Sequence, residues 1–237
     1  TALSDATPGG TWSSSAPGTA SVSGGGLVTG FIPGTATIIY TLSTGCLTTR
    51  IVTVNTFPAP ITGAGSVCVG SSITLSDISS GGTWSSSSTA VATVGSTGIV
   101  TGISSGAAVI TYMAGAGCLA TRTVTVIALP APVAGIASVC AGFTTVLTDA
   151  TSGGVWSSST PSVGMVGSLT GVVTGVTAGM TTISYTSVSG CSMIRVVTVN
   201  PIPVAISGPP KVCIGTTITL SDSTAGGAWS SSNPSVA

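Results

Sequence analysis

The chain has 237 residues, and its four basic and four acidic residues give a net charge of zero. Charged residues make up 3% of the sequence, against roughly 25% in ordinary soluble domains. No basic patch is available for the phosphates of a nucleic acid, so nucleic-acid binding is excluded as a function. We expect no membrane-spanning helix in this segment either, because no run of 18 apolar residues lacks polar interruptions.

The sequence repeats with a period of about 72 residues, and its rare side chains follow that period. One tryptophan recurs in each unit, as Trp12, Trp84, Trp156 and Trp229. The acidic residues each precede a tryptophan by seven positions, as Asp5, Asp77, Asp149 and Asp222. A tandem array is therefore predicted. Its expected units are a partial repeat at 1–57 that lacks its first strand, full repeats at 58–129 and 130–202, and the first strands of another repeat at 203–237.

Within the second unit, the sequence predicts short β-strands in chain order after a proline-rich joint at Pro58 and Pro60. The predicted strands are 66–70, 71–77, 83–87, 90–94, a short strand between two glycine turns within 96–102, 107–113 and 118–126. Alternation of apolar and polar residues is clearest in the last of these, and glycine turns separate most of them. Short strands at this spacing without helical periodicity predict an all-β fold of tandem β-sandwich repeats.

The two ends of the chain have nearly the same phase within the repeat. Residues 1–20 match the last 21 residues, including the TW or AW pair and the serines that follow it. A subunit completed by strand exchange would supply missing strands without duplicating strands already present. The expectation is therefore a window cut from a longer array.

The repeated tryptophan is predicted to fill the core of each sandwich, since it keeps a fixed phase with Tyr40, Tyr112 and Tyr185. A tryptophan that stacks on a carbohydrate is the alternative. Trp12, Trp84, Trp156 and Trp229 are the structural core residues under the first interpretation.

Cysteines locked to the repeat predict structural disulfides and an oxidising compartment. They fall in two registers, Cys46, Cys118 and Cys191 in one, and Cys68, Cys140 and Cys213 in the other. The favoured pairing joins Cys68 to Cys118 and Cys140 to Cys191 within units, because the first strand should lie beside the last. Cys46 and Cys213 then pair outside the window. The other pairing joins Cys46 to Cys68 and Cys118 to Cys140 across the proline joints.

One arginine per unit shares strand parity with the apolar residues of the last strand, as Arg122 does with Val124 and Val126. A charge on a core-facing position needs a partner. We therefore predict one structural ion pair per unit, with independent solvated charges as the alternative. The pairs are Asp5 with Arg50, Asp77 with Arg122, and Asp149 with Arg195.

The sequence offers almost no material for catalysis, metal binding or cofactor binding. It has no His and no Glu, and its four Asp residues are about 72 positions apart, so the usual acid–base groups are missing. The cysteines lack the CxxC spacing of zinc sites, and the glycine-rich stretches lack the Lys of a phosphate loop. No enzyme activity, no cofactor and no metal are expected.

Several strings resemble the bacterial Ig-like repeats of group 2 found in invasin- and intimin-type surface proteins. They are the WSSS string from Trp229 onward, the TGxVTG string from Thr97 to Tyr112, and the TVTV string at 123–126. The resemblance covers the whole chain and implies extracellular stalks, adhesins and fibres. The cysteines and the scarcity of charge depart from the family pattern, so no binding residue is carried over.

The leading functional hypothesis is a non-catalytic shaft of an extracellular fibre or long bacterial surface protein. Such a shaft self-associates or continues in a longer chain. The alternative is an adhesin module that recognises a surface or glycan, with ice binding through Thr121, Thr123 and Thr125 as a special case.

Overall fold

The structure is a computed structural model that describes residues 1–236. It divides into two compact units, Thr1–Ala128 and Leu129–Ala237. The first unit contains the first and second sequence repeats, and the second unit contains the third and fourth. The division falls next to the boundary predicted at residue 129.

The first repeat has strands where β-branched and aromatic residues alternate with small polar ones. They are β1 (Thr11–Ser14), β2 (Ala20–Val22), β3 (Val28–Gly30), β4 (Gly34–Thr41) and β5 (Leu47–Val54). Sheet order is β1-β4-β5 for one layer, and β2 pairs with β3 in the other. Ala20, Val28, Ala36 and Ile38 are the buried residues between them.

The second repeat is a complete sandwich of two four-stranded sheets. Its elements are β6 (Thr62–Gly63), β7 (Ser66–Cys68), β8 (Ser72–Ser76), β9 (Thr83–Ser86), β10 (Ala92–Val94), β11 (Ile99–Gly102), β12 (Gly106–Met113), a 3-10 turn at Gly115–Gly117 and β13 (Leu119–Ile127). One sheet has the order β10-β11-β8-β6 and the other β7-β13-β12-β9. Leu75, Val100, Ile110, Val124 and Val126 are buried where the two sheets face each other.

The third repeat has the same arrangement. Its strands are β14 (Ala134–Gly135), β15 (Ser138–Cys140), β16 (Thr144–Thr148), β17 (Val155–Ser158), β18 (Gly164–Val166), β19 (Val172–Gly175), β20 (Gly179–Thr186) and β21 (Ser192–Asn200). The sheets run β14-β16-β19-β18 and β15-β21-β20-β17. Leu147, Val173, Ile183, Val197 and Val199 form the centre of its core.

The opening strand predicted from the sequence, which is β7 in the second repeat and β15 in the third, pairs parallel to the last strand. Ser66 lies opposite Thr125, and Cys68 lies opposite Ile127; the third repeat pairs Cys140 with Asn200 in the same way. The other pairings in both repeats are antiparallel, apart from an isolated parallel bridge between Val69 and Gly102. The opening strand therefore points toward the end of the sandwich at which the chain leaves the repeat.

The fourth repeat is less regular. Between Pro201 and Val236 the structure describes one isolated antiparallel bridge, from Ser207 to Ser221, and no strand. Backbone atoms of the two serines exchange hydrogen bonds of 2.9 Å in both directions. This bridge occupies the phase of the β6–β8 contact in the second repeat.

The all-β sandwich repeat predicted from the sequence is confirmed. Each strand predicted in the second repeat lies within two or three residues of an observed one. The two-residue strand β6 was not predicted, because Thr62 and Gly63 are too few to show alternation. Gly63 has a φ of +123°, and a Cβ there would lie 2.6 Å from the carbonyl oxygen of Thr74. Only glycine fits this close approach of two backbones.

Candidate functional site

Each of the first three repeats has one aromatic pair across neighbouring strands. Trp84 lies directly opposite Tyr112, with ring centroids 4.9 Å apart and ring planes tilted by 55°. The Trp12–Tyr40 and Trp156–Tyr185 pairs have centroid distances of 4.7 Å and 4.8 Å. Such tilted packing is favourable for two aromatic rings. The tyrosine in the repeat is thus the packing partner of the tryptophan.

The tyrosine hydroxyl ties the long strand to the loop that follows the aspartate. Tyr112 Oη donates to the carbonyl of Ser79 and accepts from the N–H of Gly82 at 2.9 Å. Tyr40 and Tyr185 make the corresponding pair of bonds. A Cβ on Gly82 would lie 2.3 Å from Tyr112 Cζ, so the ring can reach the loop only over a glycine.

The aspartate shapes the same loop from within. Asp77 Oδ1 accepts from the N–H of Ser79 at 2.7 Å, which is the bond of an Asx turn. Asp5, Asp149 and Asp222 make the same contact two residues on. The Ser79 hydroxyl then accepts from the N–H of Ala59 at 3.0 Å, in the proline joint. The loop therefore positions the joint as well as the tyrosine.

The arginine of the last strand holds the segment that opens the repeat. Arg122 Nη1 donates to the carbonyl of Ile61 at 3.1 Å, and Nη2 donates to that of Gly63 at 2.6 Å. Arg195 contacts the carbonyls of Val133 and Gly135 at 3.0 Å and 3.1 Å. The two parallel N–H donors of a guanidinium suit two carbonyls in one segment. We call this contact the arginine clamp.

The predicted Asp–Arg ion pair does not form in residues 1–236. The arginine was correctly placed on the inward side of the strand, but its acceptors are backbone carbonyls. Arg122 Nε and Asp77 Oδ2 are both buried without a hydrogen-bond partner, as are Arg195 Nε and Asp149 Oδ2. The prediction was wrong because the unpaired carbonyls of an irregular opening segment are invisible in a sequence. The third predicted pair, Asp5 with Arg50, is not formed among the described residues either, and Arg50 is exposed.

The repeated tryptophans differ in burial. Trp156 is 7% exposed, and Trp84 and Trp12 are half-buried against their cores. Trp229 is 59% exposed, which differs from the predicted core position. The strand that carries the packing tyrosine in the other repeats has no counterpart among residues 203–236, so nothing equivalent covers this ring.

The strand register corrects the favoured disulfide pairing. Cys68 lies opposite Ile127, at the end of β13, while Cys118 directly precedes the start of that strand. Nine residues of strand at about 3.3 Å each separate the two positions by about 30 Å. A disulfide requires Cα atoms within about 7 Å. Cys140 and Cys191 are separated in the same way.

Four cysteines are free thiols in the structure, namely Cys46, Cys118, Cys140 and Cys213. Cys68 and Cys191 are disulfide-bonded. The other pairing considered, Cys46 with Cys68 and Cys118 with Cys140, is therefore not formed in the structure either.

Within residues 1–236, no group of three or more Cys, Asp, His or Glu side chains is placed to hold a metal ion. No helix in that range is long and apolar enough to cross a membrane. The special side chains of the complete repeats are instead engaged in the aromatic pair, the Asx turn and the arginine clamp.

Comparison with solved structures gives low similarity over much of the chain. The surface layer protein SbsC, domains 1–6, is 17% identical with a TM-score of 0.30, over 89% of this chain and 39% of that one. An intimin fragment in complex with the intimin-binding domain of its translocated receptor is 13% identical with a TM-score of 0.32, over 71% of this chain and 59% of that one. The chain thus spans about two fifths of the SbsC structure.

A third similar structure is the Bacteroides ovatus protein SGBP-B in complex with a mixed-linkage heptasaccharide. It is 15% identical with a TM-score of 0.24, over 88% of this chain and 65% of that one. A comparison of the sequence with curated proteins found no match. None of these likenesses indicates what this chain binds.

The comparison with family models identifies a particular domain family, whereas the structural comparisons do not. A model of the bacterial Ig-like domain (group 2) matches residues 2–53 and 62–126. These segments hold the first repeat and, from β6 onward, nearly all of the second, and the third repeat has the same strand order. The chain therefore contains tandem bacterial Ig-like domains of group 2, matched at residues 2–53 and 62–126.

Proposed function

We propose that this array is a structural shaft in an extracellular fibre or a long cell-surface protein. The proposal rests on the structural roles of the few aromatic and charged side chains in each repeat. In each complete repeat the Trp, Tyr, Asp and Arg side chains all stabilise the sandwich or hold its opening segment. A repeat whose polar groups serve its own fold suits a load-carrying or spacing role.

The surface of the repeats supports the same role. On the outward side of β12 and β13, Val109 lies opposite Thr123, and Thr111 lies opposite Thr121, and none of these residues is charged. Arg122, on the same strand, points inward to the clamp. Such a surface has little charge repulsion to keep chains apart. Self-association would then rest on Ser, Thr, Gly and Ala contacts instead of ion pairs.

Negative-stain electron microscopy of the native material tests the shaft. Long thin filaments are expected, and compact particles of one size would contradict the proposal. The filaments should also persist in high salt, because their contacts do not depend on charge. Dissociation by salt alone would contradict the proposed mode of association.

The alternative, an adhesin module, predicts a different result. A glycan array probed with the chain should then show saturable binding to a defined set of sugars. A shaft predicts no such binding. Binding that disappeared in a Trp84→Ala variant whose repeat remained folded would favour the adhesin, since Trp84 is half-buried.

A further inference from the structure

The two cysteine registers mark the two opposite ends of each sandwich. Cys68 and Cys140 lie beside the last residues of β13 and β21, where the chain leaves the repeat. Together with Cys213, which has the same phase in the repeat, we call them the exit-end cysteines. Cys118 and Cys191 lie in the hairpin turn that precedes the last strand, where the Cys118 carbonyl accepts from the N–H of Ala114 at 2.9 Å. Together with Cys46, which has the same phase in the repeat, we call them the hairpin cysteines.

This placement prevents a bond within any complete repeat. The two cysteines of a repeat are separated by the length of its last strand, about 30 Å at ~3.3 Å per residue, and the hydrogen-bonded register fixes that strand. A bridge between them would require the sandwich to be dismantled. Neither complete repeat can therefore form a disulfide between its own two cysteines.

The bonded cysteines fit this conclusion. Cys68 is an exit-end cysteine of the second repeat, and Cys191 is a hairpin cysteine of the third. Both are disulfide-bonded, whereas their partners in the rejected pairing, Cys118 and Cys140, are free. One cysteine of each register is thus oxidised, and each lies in a different repeat.

We propose that the disulfides of this array join an exit-end cysteine of one repeat to a hairpin cysteine of another repeat. The bond forms when a thiolate of one register displaces a thiol from a mixed disulfide on the other. Two cysteine thiols lose two protons and two electrons, and a low-molecular-weight disulfide such as cystine is reduced to two thiols. The repeats of the array are then cross-linked to one another by disulfides, while each sandwich depends on its own core.

Peptide mapping of the unreduced full chain tests the proposal directly. Trypsin cleaves after Arg50, Arg122, Arg195 and Lys211, so residues 51–122 form one peptide that contains both Cys68 and Cys118. A bond within the repeat leaves this peptide unlinked. A bond between repeats joins it to another tryptic peptide, which is the expected result.

Chymotrypsin then identifies the registers. Cleavage after Trp84 and Tyr112 separates Cys68 from Cys118, and cleavage after Trp156 separates Cys140 from Cys191. The linked peptides should each contain one exit-end and one hairpin cysteine. A link within one repeat, a link between two cysteines of the same register, or complete alkylation of all six thiols would overturn the proposal.

Reduction provides a second and independent readout. Hydrogen exchange in β12 should change less than about twofold when dithiothreitol is added, because no bond lies within the sandwich. A disulfide inside the repeat would instead protect it by roughly 30-fold or more, and an increase in exchange of that size would contradict the proposal. Cys68→Ser should remove the link to its peptide, and Cys118→Ser is the matched control that should leave that link intact.

Discussion

The first and second repeats share their sequence pattern but differ in the segment that opens the sandwich. In the second repeat, β6 and β7 border the two sheets, and Val124 and Val126 are 0% and 2% exposed. The first repeat has no strand beside β5, and the equivalent Val52 and Val54 are only half-buried. The opening segment therefore completes the core although it contributes few residues to it.

The same comparison explains the arginine clamp. Arg122 is half-buried and donates to two carbonyls of the opening segment, whereas Arg50 is exposed. A groove of about 250 Å³ in the first repeat is lined by residues that include Leu3, Trp12, Ile38 and Arg50. Arg122 thus binds the opening segment of its repeat. Arg50 has no such contact among the described residues and is exposed.

The largest expected difference in stability cost between the two repeats comes from replacing the central leucine. Leu75 is 1% exposed, and its equivalent Leu3 is half-buried. Leu75→Ala should destabilise the second repeat by about 2–5 kcal/mol through cavity formation, whereas Leu3→Ala should cost the first repeat less than half as much. Hydrogen exchange measured repeat by repeat in the full chain gives both values. Equal costs would mean that the opening segment adds nothing to the packing of the core.

The tyrosine should matter equally in both repeats, because its partners do not involve the opening segment. Tyr112→Phe removes the hydroxyl that bonds Gly82 and Ser79, and Tyr40→Phe removes the one that bonds Gly10 and Thr7. Each change should cost about 1–3 kcal/mol, since a backbone N–H and a carbonyl lose their partner. The same exchange measurement checks this. A cost confined to one repeat would show that the loop depends on the opening segment.

Removing the arginine clamp should have a smaller effect on stability, but the two repeats should differ more clearly in their response. Arg122→Met keeps the apolar stem and leaves the buried Ile61 carbonyl without its donor, so we expect a loss of about 1–2 kcal/mol in the second repeat. Arg50→Met should change the first repeat by less than about 0.5 kcal/mol, because the side chain is exposed. Thermal melting of the two variants, with exchange to locate the effect, compares them. An equal loss in both would contradict the clamp.

Salt concentration should have the smallest effect on the free energy of unfolding, and this effect should be the same in all repeats. The arginines of the complete repeats contact carbonyls, and no Asp–Arg contact within 4.0 Å is present in the described residues 1–236. Raising NaCl from 0.05 to 0.3 M should therefore shift the free energy of unfolding by less than about 0.5 kcal/mol. Chemical denaturation at both salt concentrations measures it. A larger loss would restore the ion-pair interpretation.

Patterns in the sequence were enough to predict the repeat, the strands and the inward side of the last strand. These properties are local: glycine turns, period-two alternation and the phase of Trp, Tyr, Asp and Arg all lie within short windows. The alternation placed Arg122 with Val124 and Val126 on one side, as observed. The layout behind the favoured disulfide pairing also placed the opening strand beside the last strand, as the register shows.

The direction of that pairing and the partners of the polar groups depend on tertiary contacts. Strand adjacency is compatible with either direction, and the parallel direction moves Cys68 from one end of the sandwich to the other, away from Cys118. The acceptors of Arg122 are carbonyls about 60 residues away in the chain, and every residue type carries a carbonyl. Because backbone groups have no signature in the sequence, a charge that needs a partner can be recognised there, but its partner cannot.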